Sequence, residues 1–321
     1  MPDQIRDALT HLSDALAARV AAAAGLVASQ ARADEPLFGY VYATDTLPKG
    51  QKEVELWSTH REGRSQGDFH LWQQRTEFSY GVTDNIQVSA YLNLAHAKVF
   101  DDTPGGGTAP PEAFADYAAD PSKRFSRWRS EGVSIEALWR LRSPYTHGLG
   151  IALYAEPTVA PNTRELELRL ILQKNFIQDR LVVSGNATVG YEWRKIPGDP
   201  TADPASEDFI RHWDHETDLN LSLGASYRFR ANWAVGAEFL NERELAGLTP
   251  FEHTARTNVA WYLGPNIHFG GRKFFATATF LAQLPWAQDH ANPAPGFVVD
   301  GLTNADDFEK YRLRIKVGTY F

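Results

Sequence analysis

The chain of 321 residues has no cysteine and a single methionine. Without cysteine it can form neither a disulfide nor a cysteine-ligated zinc site. It also has no run of about 18 apolar residues, the length that a membrane-spanning helix requires, and its mean hydropathy is -0.38. These properties do not exclude a membrane-spanning β-barrel, because half of the residues in its strands are polar and the hydropathy averages out.

No stretch of the chain is strongly basic, and the formal net charge is -8. This balance argues against a nucleic-acid partner. A glycine-rich phosphate-binding loop is also absent, since glycines 105–107 lie between Pro104 and Pro110 in a segment with the composition of an ordinary loop. No serine lies in the Gly-x-Ser-x-Gly pattern of a hydrolase. We therefore predict no catalytic residue, no cofactor and no cofactor-binding residue.

Small residues precede a candidate cleavage site near the N-terminus. Ala31 and Ala33 flank Arg32 in a small-x-small pattern, and residues 21–28 supply a short apolar stretch before it. Residues 1–20 carry no net positive charge, which export signals usually have, so an amphipathic helix retained on the mature protein is the alternative. We expect residues 1–33 to be an export signal and the mature chain to begin at Asp34.

The chain is rich in aromatic residues and in segments in which apolar and polar residues alternate. It contains 9 Trp, 12 Tyr and 18 Phe. Leucines alternate with polar residues over 165–173, and successive side chains of a strand point to opposite faces of a sheet. Most of the alternating segments are about 9–14 residues long, enough for a strand to cross a bilayer. They lie near 52–60, 69–80, 86–97, 128–142, 148–159, 165–174, 181–193, 215–229, 234–244, 257–269, 274–284 and 310–321.

The connections between these segments alternate between short and long. The short ones are rich in turn formers and cover 81–85, 143–147, 175–180, 230–233 and 270–273. The others, mostly longer, cover 61–68, 98–127, 160–164, 194–214, 245–256 and 285–309. This rhythm predicts an all-β fold, a single antiparallel up-and-down transmembrane β-barrel of about 12 strands over residues 52–321. Residues 34–51 would be an N-terminal periplasmic segment. A large soluble antiparallel β-protein, such as a periplasmic sandwich, is the alternative, although it would not require this rhythm.

The C-terminal segment, residues 311–321, resembles the last strand of Gram-negative outer-membrane β-barrels, since it alternates and ends in Phe321. The wider chain, 38–321, is similar to an uncharacterised family of proteobacterial outer-membrane barrels, in the stretches 38–42, 77–84, 170–174 and 263–267. The resemblance implies an outer-membrane location, contact with outer-membrane lipid and lipopolysaccharide, and recognition of Phe321 by the barrel-assembly machinery. That family has no agreed activity, so no site residue is carried over from it.

Charged residues accumulate on the face that the alternation assigns to the barrel interior. Against lipid an Arg or Lys would cost about 2–4 kcal/mol near the midplane, so these residues must face water or one another. The candidate lumen-lining residues are Arg75, Glu77, Glu136, Arg140, Glu156, Glu167, Arg169, Asp218, Arg228, Glu238, Arg312, Arg314 and Lys316, and Arg142, Glu165 and Glu192 share their face. They form either cross-strand ion pairs that close a narrow lumen or the lining of a polar pore. Barrels of about 8 strands are filled by side chains, while those of 16–18 strands leave a channel. A strand number of twelve therefore does not decide between a closed lumen and a pore.

Two further groups of side chains are of the types that bind metals or catalyse hydrolysis. Residues 212–216 contain two histidines, an aspartate and a glutamate, but His215 points away from the others in a strand, so no metal site is predicted. Ser58, His60, His96 and Ser126 are the available nucleophiles and bases for lipid chemistry near the outer rim. None of them lies in a specific motif, and we do not expect an enzyme.

The function that the sequence favours is a monomeric, narrow channel or binding pore for a small polar or charged solute, which stays unidentified. Selectivity would come from charge complementarity and pore radius. The alternative is a closed structural or surface-interaction barrel whose loops carry the function. A lipid-modifying enzyme is the third hypothesis, and it requires a Ser–His contact near the outer rim.

Overall fold

Most of the chain from residue 36 onwards is described by the computed structural model. The described residues are 36–64, 67–100, 111, 114, 123–196, 198, 203–206, 209–247, 256–287, 298–299, 302–305 and 308–321. Residues 34–321 form one compact unit. Residues 1–33 lie outside the described part, so the export signal stays a prediction.

Twelve antiparallel strands close into a barrel, which confirms the predicted fold. The barrel strands are β1 (Lys52–Glu62), β2 (Asp68–Thr83), β3 (Ile86–Phe100), β4 (Phe125–Arg142), β5 (Gly150–Val159), β6 (Thr163–Phe176), β7 (Leu181–Ile196), β8 (His212–Arg230), β9 (Trp233–Ala246), β10 (Arg256–Gly270), β11 (Phe274–Gln283) and β14 (Tyr311–Tyr320). The connection between β11 and β14 contains a two-stranded hairpin, β12 (Val298–Val299) and β13 (Leu302–Thr303). A single helical turn, α1 (Pro144–His147), links β4 to β5. Among the described residues, no helix has the length and apolar character needed to cross a membrane.

The C-terminal strand forms the seam of the barrel. β14 pairs with β11 on one side and with β1 on the other. At the end of the seam Lys52 and Phe321 exchange backbone hydrogen bonds of 3.1 and 3.0 Å. The segment that resembles a terminal outer-membrane strand therefore pairs the last strand with the first.

The outward face of the barrel is apolar at mid-strand. Leu56 is 57% exposed, Ile135 64% and Leu221 52%. The residues beside them in sequence, such as Glu55 and Glu136, point inward and are buried. An outward apolar band around a polar interior is the arrangement of a transmembrane barrel.

A bulge near the middle of β4 breaks the alternation. Asn93 pairs with Gly132 and Leu94 pairs with Ser130, so that Glu131 is the extra residue. Gly132 has φ +88, and a Cβ there would lie 2.1 Å from the carbonyl oxygen of Val159. Glycine is therefore required, and the residues before the bulge face the opposite side from the one that a continuous alternation predicts.

The two ends of the barrel differ, as the connection lengths predict. We call the end with the short connections 84–85, 143–149, 177–180, 231–232 and 271–273 the turn end, and the other the loop end. Residue 52, where β1 begins, and residue 321 both lie at the turn end, as the first and last positions of the seam.

Candidate functional site

Residues 36–48, which precede β1, lie inside the barrel near the turn end, and we name them the lumen segment. At its start the hydroxyl of Thr277 on β11 donates to the carbonyl oxygen of Pro36 (2.6 Å). Near its end the backbone N–H of Leu47 donates to Gln87 Oε1 on β3 (2.8 Å). The segment thus follows the inner wall from β11 around to β3. The region expected to be a periplasmic segment contributes these residues to the lumen.

Glu238 on β9 holds the first part of the lumen segment. Its carboxylate accepts hydrogen bonds from the backbone N–H groups of Gly39 (2.8 Å), Tyr40 (2.7 Å) and Val41 (2.9 Å). Asn266 Nδ2 (3.1 Å) and the hydroxyl of Thr279 (2.7 Å) donate to it from the wall. Glu238 is fully buried. Hydrogen bonds to a charged group contribute about 1.5–3 kcal/mol each, so five donors make this carboxylate the main anchor of the segment.

Amide side chains of β6 and β7 hold the second part. Asn186 Oδ1 accepts from the backbone N–H of Tyr42 (2.7 Å), while its Nδ2 donates to the carbonyl oxygen of the same residue (2.9 Å). Gln173 Oε1 accepts from the backbone N–H (2.7 Å) and the hydroxyl (2.8 Å) of Thr44. These inward amides satisfy the extended backbone of the segment as a neighbouring strand would.

Two inward glycines leave room for the lumen segment. A Cβ at Gly224 on β8 would lie 2.7 Å from the ring of Phe38, and one at Gly150 on β5 would lie 2.6 Å from Thr44 Oγ1. Phe38 also packs with Val182 and Ala234 of the wall. The barrel interior is therefore shaped to accommodate this segment.

Two tyrosine rings of the lumen segment lie against half-buried cations. The guanidinium of Arg314 is 3.9 Å from the ring centroid of Tyr40, and that of Arg169 is 4.2 Å from the centroid of Tyr42. Burial raises the pKa of the Tyr40 phenol, which keeps it neutral. Cation–π contacts of this kind add to the anchoring of the segment.

Ion pairs within strands, between adjacent strands and across the barrel line the lumen. Arg169 Nη2 is 2.7 Å from Glu167 Oε1, and Lys316 Nζ is 3.4 Å from Glu55 Oε2. The other pairs join Arg75 to Glu156, Arg312 to both Glu242 and Glu309, and Arg194 to Glu192. This arrangement includes much of the charged face that the alternation predicts.

A cavity of about 420 Å³ lies towards the loop end, and eight carboxylates and six guanidinium groups line it. Five of the carboxylates lie on β6–β9, namely Glu165, Glu167, Glu192, Asp218 and Glu244. Five of the guanidinium groups lie on β14, on β1, β2 and β4, or between β1 and β2, namely Arg61, Arg64, Arg75, Arg129 and Arg314. The cavity therefore has an acidic arc opposite a basic arc. A second cavity of about 180 Å³ shares four of its lining residues and includes Tyr40 and Tyr42.

Loop residues narrow the loop end of the lumen. Phe114 is fully buried and packs with Phe69, Leu71 and Phe125. On the other side Phe308 packs with Tyr262 and its neighbours. The sequence leaves open whether the 98–127 connection folds inward or covers the rim. Of this connection residues 98–100, 111, 114 and 123–127 lie in the described part, and Phe114 packs against inward residues of β2.

The structure places the predicted lumen-lining residues at several levels. Arg75, Glu156, Glu165, Glu167, Glu192, Asp218 and Arg314 line the larger cavity, and Arg169 and Arg312 line the second. Glu77, Glu136 and Lys316 lie around a cavity of about 50 Å³ beside the lumen segment, which Glu238 anchors. Arg140 donates to the carbonyl oxygen of Asp84, and Arg228 donates to that of Ala231, so both lie at the turn end. Arg142 is also at that end, as the last residue of β4. Whether these residues contact a solute stays a prediction.

Several lining residues were missed from the sequence. Glu55 and Arg61 follow the alternation of β1 and could have been included on that basis. Glu131 is the extra residue of the bulge and Arg129 precedes it, so both face the side opposite to the one that a continuous alternation predicts. Glu309 lies outside the strands and carries no periodic signal. The lumen segment itself has no strand pattern that would place it inside.

On the outward face, histidines and serines lie together at the loop end of β1–β4. His96 Nε2 is 3.2 Å from Ser126 Oγ; His96 is half-buried and Ser126 is exposed. Trp72 Nε1 donates to the hydroxyl of Ser58 (2.8 Å). The 212–216 segment begins β8 and keeps its strand register with β7, where His215 pairs with Trp193. As a strand it separates His215 from His212, Asp214 and Glu216, as predicted.

Comparison with known proteins agrees with this architecture. Residues 30–321 match the model of a family of unknown function, DUF6662. No curated protein matches the chain in sequence. The COG4313 outer membrane channel from Pseudomonas putida F1 superposes with a TM-score of 0.56 at 10% identity, over 87% of this chain and 98% of that one.

Two porins superpose less closely. The NanC porin has a TM-score of 0.45 at 9% identity, over 83% of this chain and 98% of its own. The KdgM porin in complex with disordered oligogalacturonate has a TM-score of 0.44 at 9% identity, over 84% and 99%. At 10% identity the likeness to the COG4313 channel establishes the fold only. The resemblance to Gram-negative outer-membrane barrels is confirmed by that shared fold.

Proposed function

We propose that this chain, which belongs to the DUF6662 family of unknown function, is a gated channel for small polar or charged solutes in a Gram-negative outer membrane. The location is supported by the outward apolar band and by the shared fold with an outer membrane channel. The observation that carries the proposal is the lumen itself. A charged cavity lies at the loop end, and the lumen segment lies across the route towards the turn end.

The lumen segment is the proposed gate. It has polar anchors on the wall rather than strand partners, and small cavities persist on both of its sides. Its hydrogen bonds go to side chains, mainly Glu238, Asn186 and Gln173, which can be exchanged for water when the segment moves. Passage of a solute then requires the segment to leave the wall, while the barrel strands stay paired.

The segregated charges favour a solute that carries both a cationic and an anionic group. Such a molecule would place its cation against the acidic arc of β6–β9 and its anion against the basic arc. Opposite walls of opposite charge orient a dipolar solute and raise its local concentration. Arg is suited to the anionic end because its planar fork binds carboxylate or phosphate with two hydrogen bonds.

The test fixes the lumen segment to the barrel wall with an engineered disulfide. No competing disulfide can form, because the natural chain has no cysteine. The variant carries Thr44→Cys and Gly150→Cys. A Cβ at Gly150 lies 2.6 Å from Thr44 Oγ1, which brings the two Cβ atoms near the separation of about 3.5–4.5 Å that a disulfide needs. In planar bilayers we expect low conductance when the variant is oxidised and higher conductance after a reductant is added.

The controls separate the gate from damage to the barrel. The conductance of each single-cysteine variant, and that of the wild type, should not change when the reductant is added. All of these proteins should keep the heat-modifiable gel mobility of a folded barrel. If the oxidised and reduced double variants conduct alike, the segment is not the gate. If none of the proteins conducts in either state, the closed structural barrel is the better interpretation.

A second candidate function, lipid ester hydrolysis, is favoured by one observation. The His96–Ser126 contact at the loop end is the Ser–His pair that this hypothesis requires, and it lies on the outward face. In the described part of the chain, however, no carboxylate contacts the other ring nitrogen of His96, so the imidazole lacks the orienting group of a hydrolase triad. Release of fatty acid from phospholipid micelles, abolished by Ser126→Ala, would support it over the channel.

A further inference from the structure

We propose that His60, Glu62 and His70 form a binding site for a divalent transition metal on the outward face of the barrel, at the loop end. The site is separate from the lumen and independent of the proposed channel. It consists of two imidazoles and one carboxylate, a donor set that suits Zn²⁺ and also Cu²⁺ or Ni²⁺.

The β1–β2 register brings the three side chains together. Glu62 pairs directly with His70, and His60 pairs with Trp72, so His60 is one step diagonal to His70 on the same face. All three alternate with inward residues, such as buried Thr59 between Ser58 and His60. One potential ligand atom from each lies within 4.8 Å of those of the other two. The strand backbone, which is fixed by the barrel, thus sets the spacing of the donors.

The distances require only a small closure around an ion. Zinc bonds of about 2.0–2.2 Å place tetrahedral ligand atoms roughly 3.3 Å apart. His70 Nδ1 is already 3.9 Å from Glu62 Oε1, and the two imidazole ring centroids are 5.6 Å apart. The side chain of Glu62 is 56% exposed and that of His70 35% exposed. Rotation of these side chains can therefore bring the donors together without moving the strands.

The surroundings leave room for a further ligand on the ion. A groove of about 480 Å³ includes His60 and His70 in its lining, together with Ser58, Trp72, His96, Lys98, Leu313 and Ile315. Three protein ligands leave a coordination position open to water or to an anion. Trp72 packs against Trp128, with ring centroids 5.4 Å apart, and such outward tryptophans mark the membrane–water interface. The ion would therefore lie at the level of the lipid headgroups.

The test is a Zn²⁺ titration, followed by calorimetry, of the full chain in detergent without a histidine tag. We expect one Zn²⁺ per chain. His60→Ala and His70→Ala should each weaken binding by about tenfold or more, since even partners outside the coordination shell commonly contribute that much. Glu62→Gln should also weaken it.

The matched control is His96→Ala, which removes a half-buried histidine of the same groove that is not a proposed ligand. It should bind Zn²⁺ as the wild type does. Gel mobility of the unheated proteins shows that each variant is folded. The proposal is overturned if the wild type binds no Zn²⁺, if His60→Ala and His70→Ala bind it as tightly as the wild type, or if His96→Ala loses binding to the same extent as they do.

Discussion

Arg312 is enclosed by acids and an aromatic ring at the middle of the lumen. It is 1% exposed, it contacts the carboxylates of Glu242 and Glu309, and its guanidinium carbon is 3.9 Å from the ring centroid of Tyr262. Arg314, two residues on, has no carboxylate among its described hydrogen-bond partners and donates to Thr59 and Gly39 instead. Neighbouring cations of one strand therefore serve different purposes.

We predict that Arg312→Gln destabilises the barrel far more than Arg314→Gln. Removing Arg312 leaves the carboxylate of Glu242 without its ion-pair partner and Glu309 with only Arg61, at 3.7 Å. Breaking a buried pair in this way costs about 3–5 kcal/mol. Removing Arg314 leaves no acid unpaired. The measurement is the temperature at which the heat-modifiable band converts to the unfolded form. Equal conversion temperatures for the two variants would contradict the assignment of Arg312 as a structural residue.

Glu238 is the residue on which the closed state of the lumen depends most. We predict that Glu238→Gln, which keeps the size but removes the charge, increases single-channel conductance or the open fraction. An amide offers a single acceptor oxygen, and its NH₂ group faces backbone donors, so several hydrogen bonds to the lumen segment are lost. Bilayer recordings of both proteins measure the effect.

The matched control for that change is Glu77→Gln. Glu77 is another buried inward acid, and its described hydrogen bond is to Ser79 rather than to the lumen segment. Its substitution removes the same charge from the same end of the lumen. If Glu77→Gln opens the channel as much as Glu238→Gln does, the effect is one of lumen charge and not of the gate.

At the scale of the elements, the positions of the strands and the side of the wall to which each side chain points follow from local chemistry. In β6 and β8 the residues alternate between a face in contact with lipid and a face in contact with polar neighbours. This alternation can be recognised from residues that are adjacent in sequence. The bulge at Gly132 is different. It depends on the approach of Val159 from the next strand, so the reversed facing of Glu131 could not be predicted from β4 itself.

The assigned facing of β8 gives a direct test. We predict that Leu221→Arg impairs assembly strongly, because Leu221 is an outward residue and Arg near the membrane midplane costs about 2–4 kcal/mol. Asn220→Arg, one position away, enters the lumen side beside the second cavity and should be milder. The fraction of protein with folded gel mobility measures both. Similar losses for the two variants would show that the facing is wrong.

At the scale of the whole molecule, the site depends on contacts between distant parts of the chain. Glu238 is 199 residues from Gly39, and Arg312 is 70 residues from Glu242. No local pattern indicates such pairs, because the inward side of a barrel accepts polar residues of many kinds. The sequence therefore predicts a charged lumen, while the identity of its ion pairs and the position of the lumen segment emerge only from closure of the barrel.

The same long-range organisation separates the charges of the larger cavity into two arcs, and this leads to a prediction about ion selectivity. Eight carboxylates face six guanidinium groups there. Replacing Arg61, Arg64 and Arg129 by Gln leaves three guanidinium groups, because Arg is always charged and Gln is neutral. Fixed charge of one sign raises the local concentration of the opposite ion.

We therefore expect the reversal potential across a salt gradient to shift towards cation preference in this triple variant. The control replaces three exposed arginines near the turn end, Arg180, Arg230 and Arg272, by Gln. It removes the same total charge away from the cavity and should leave the reversal potential nearly unchanged. If both triple variants shift it equally, selectivity follows net charge rather than the two arcs. If neither does, ions pass by a route that this cavity does not line.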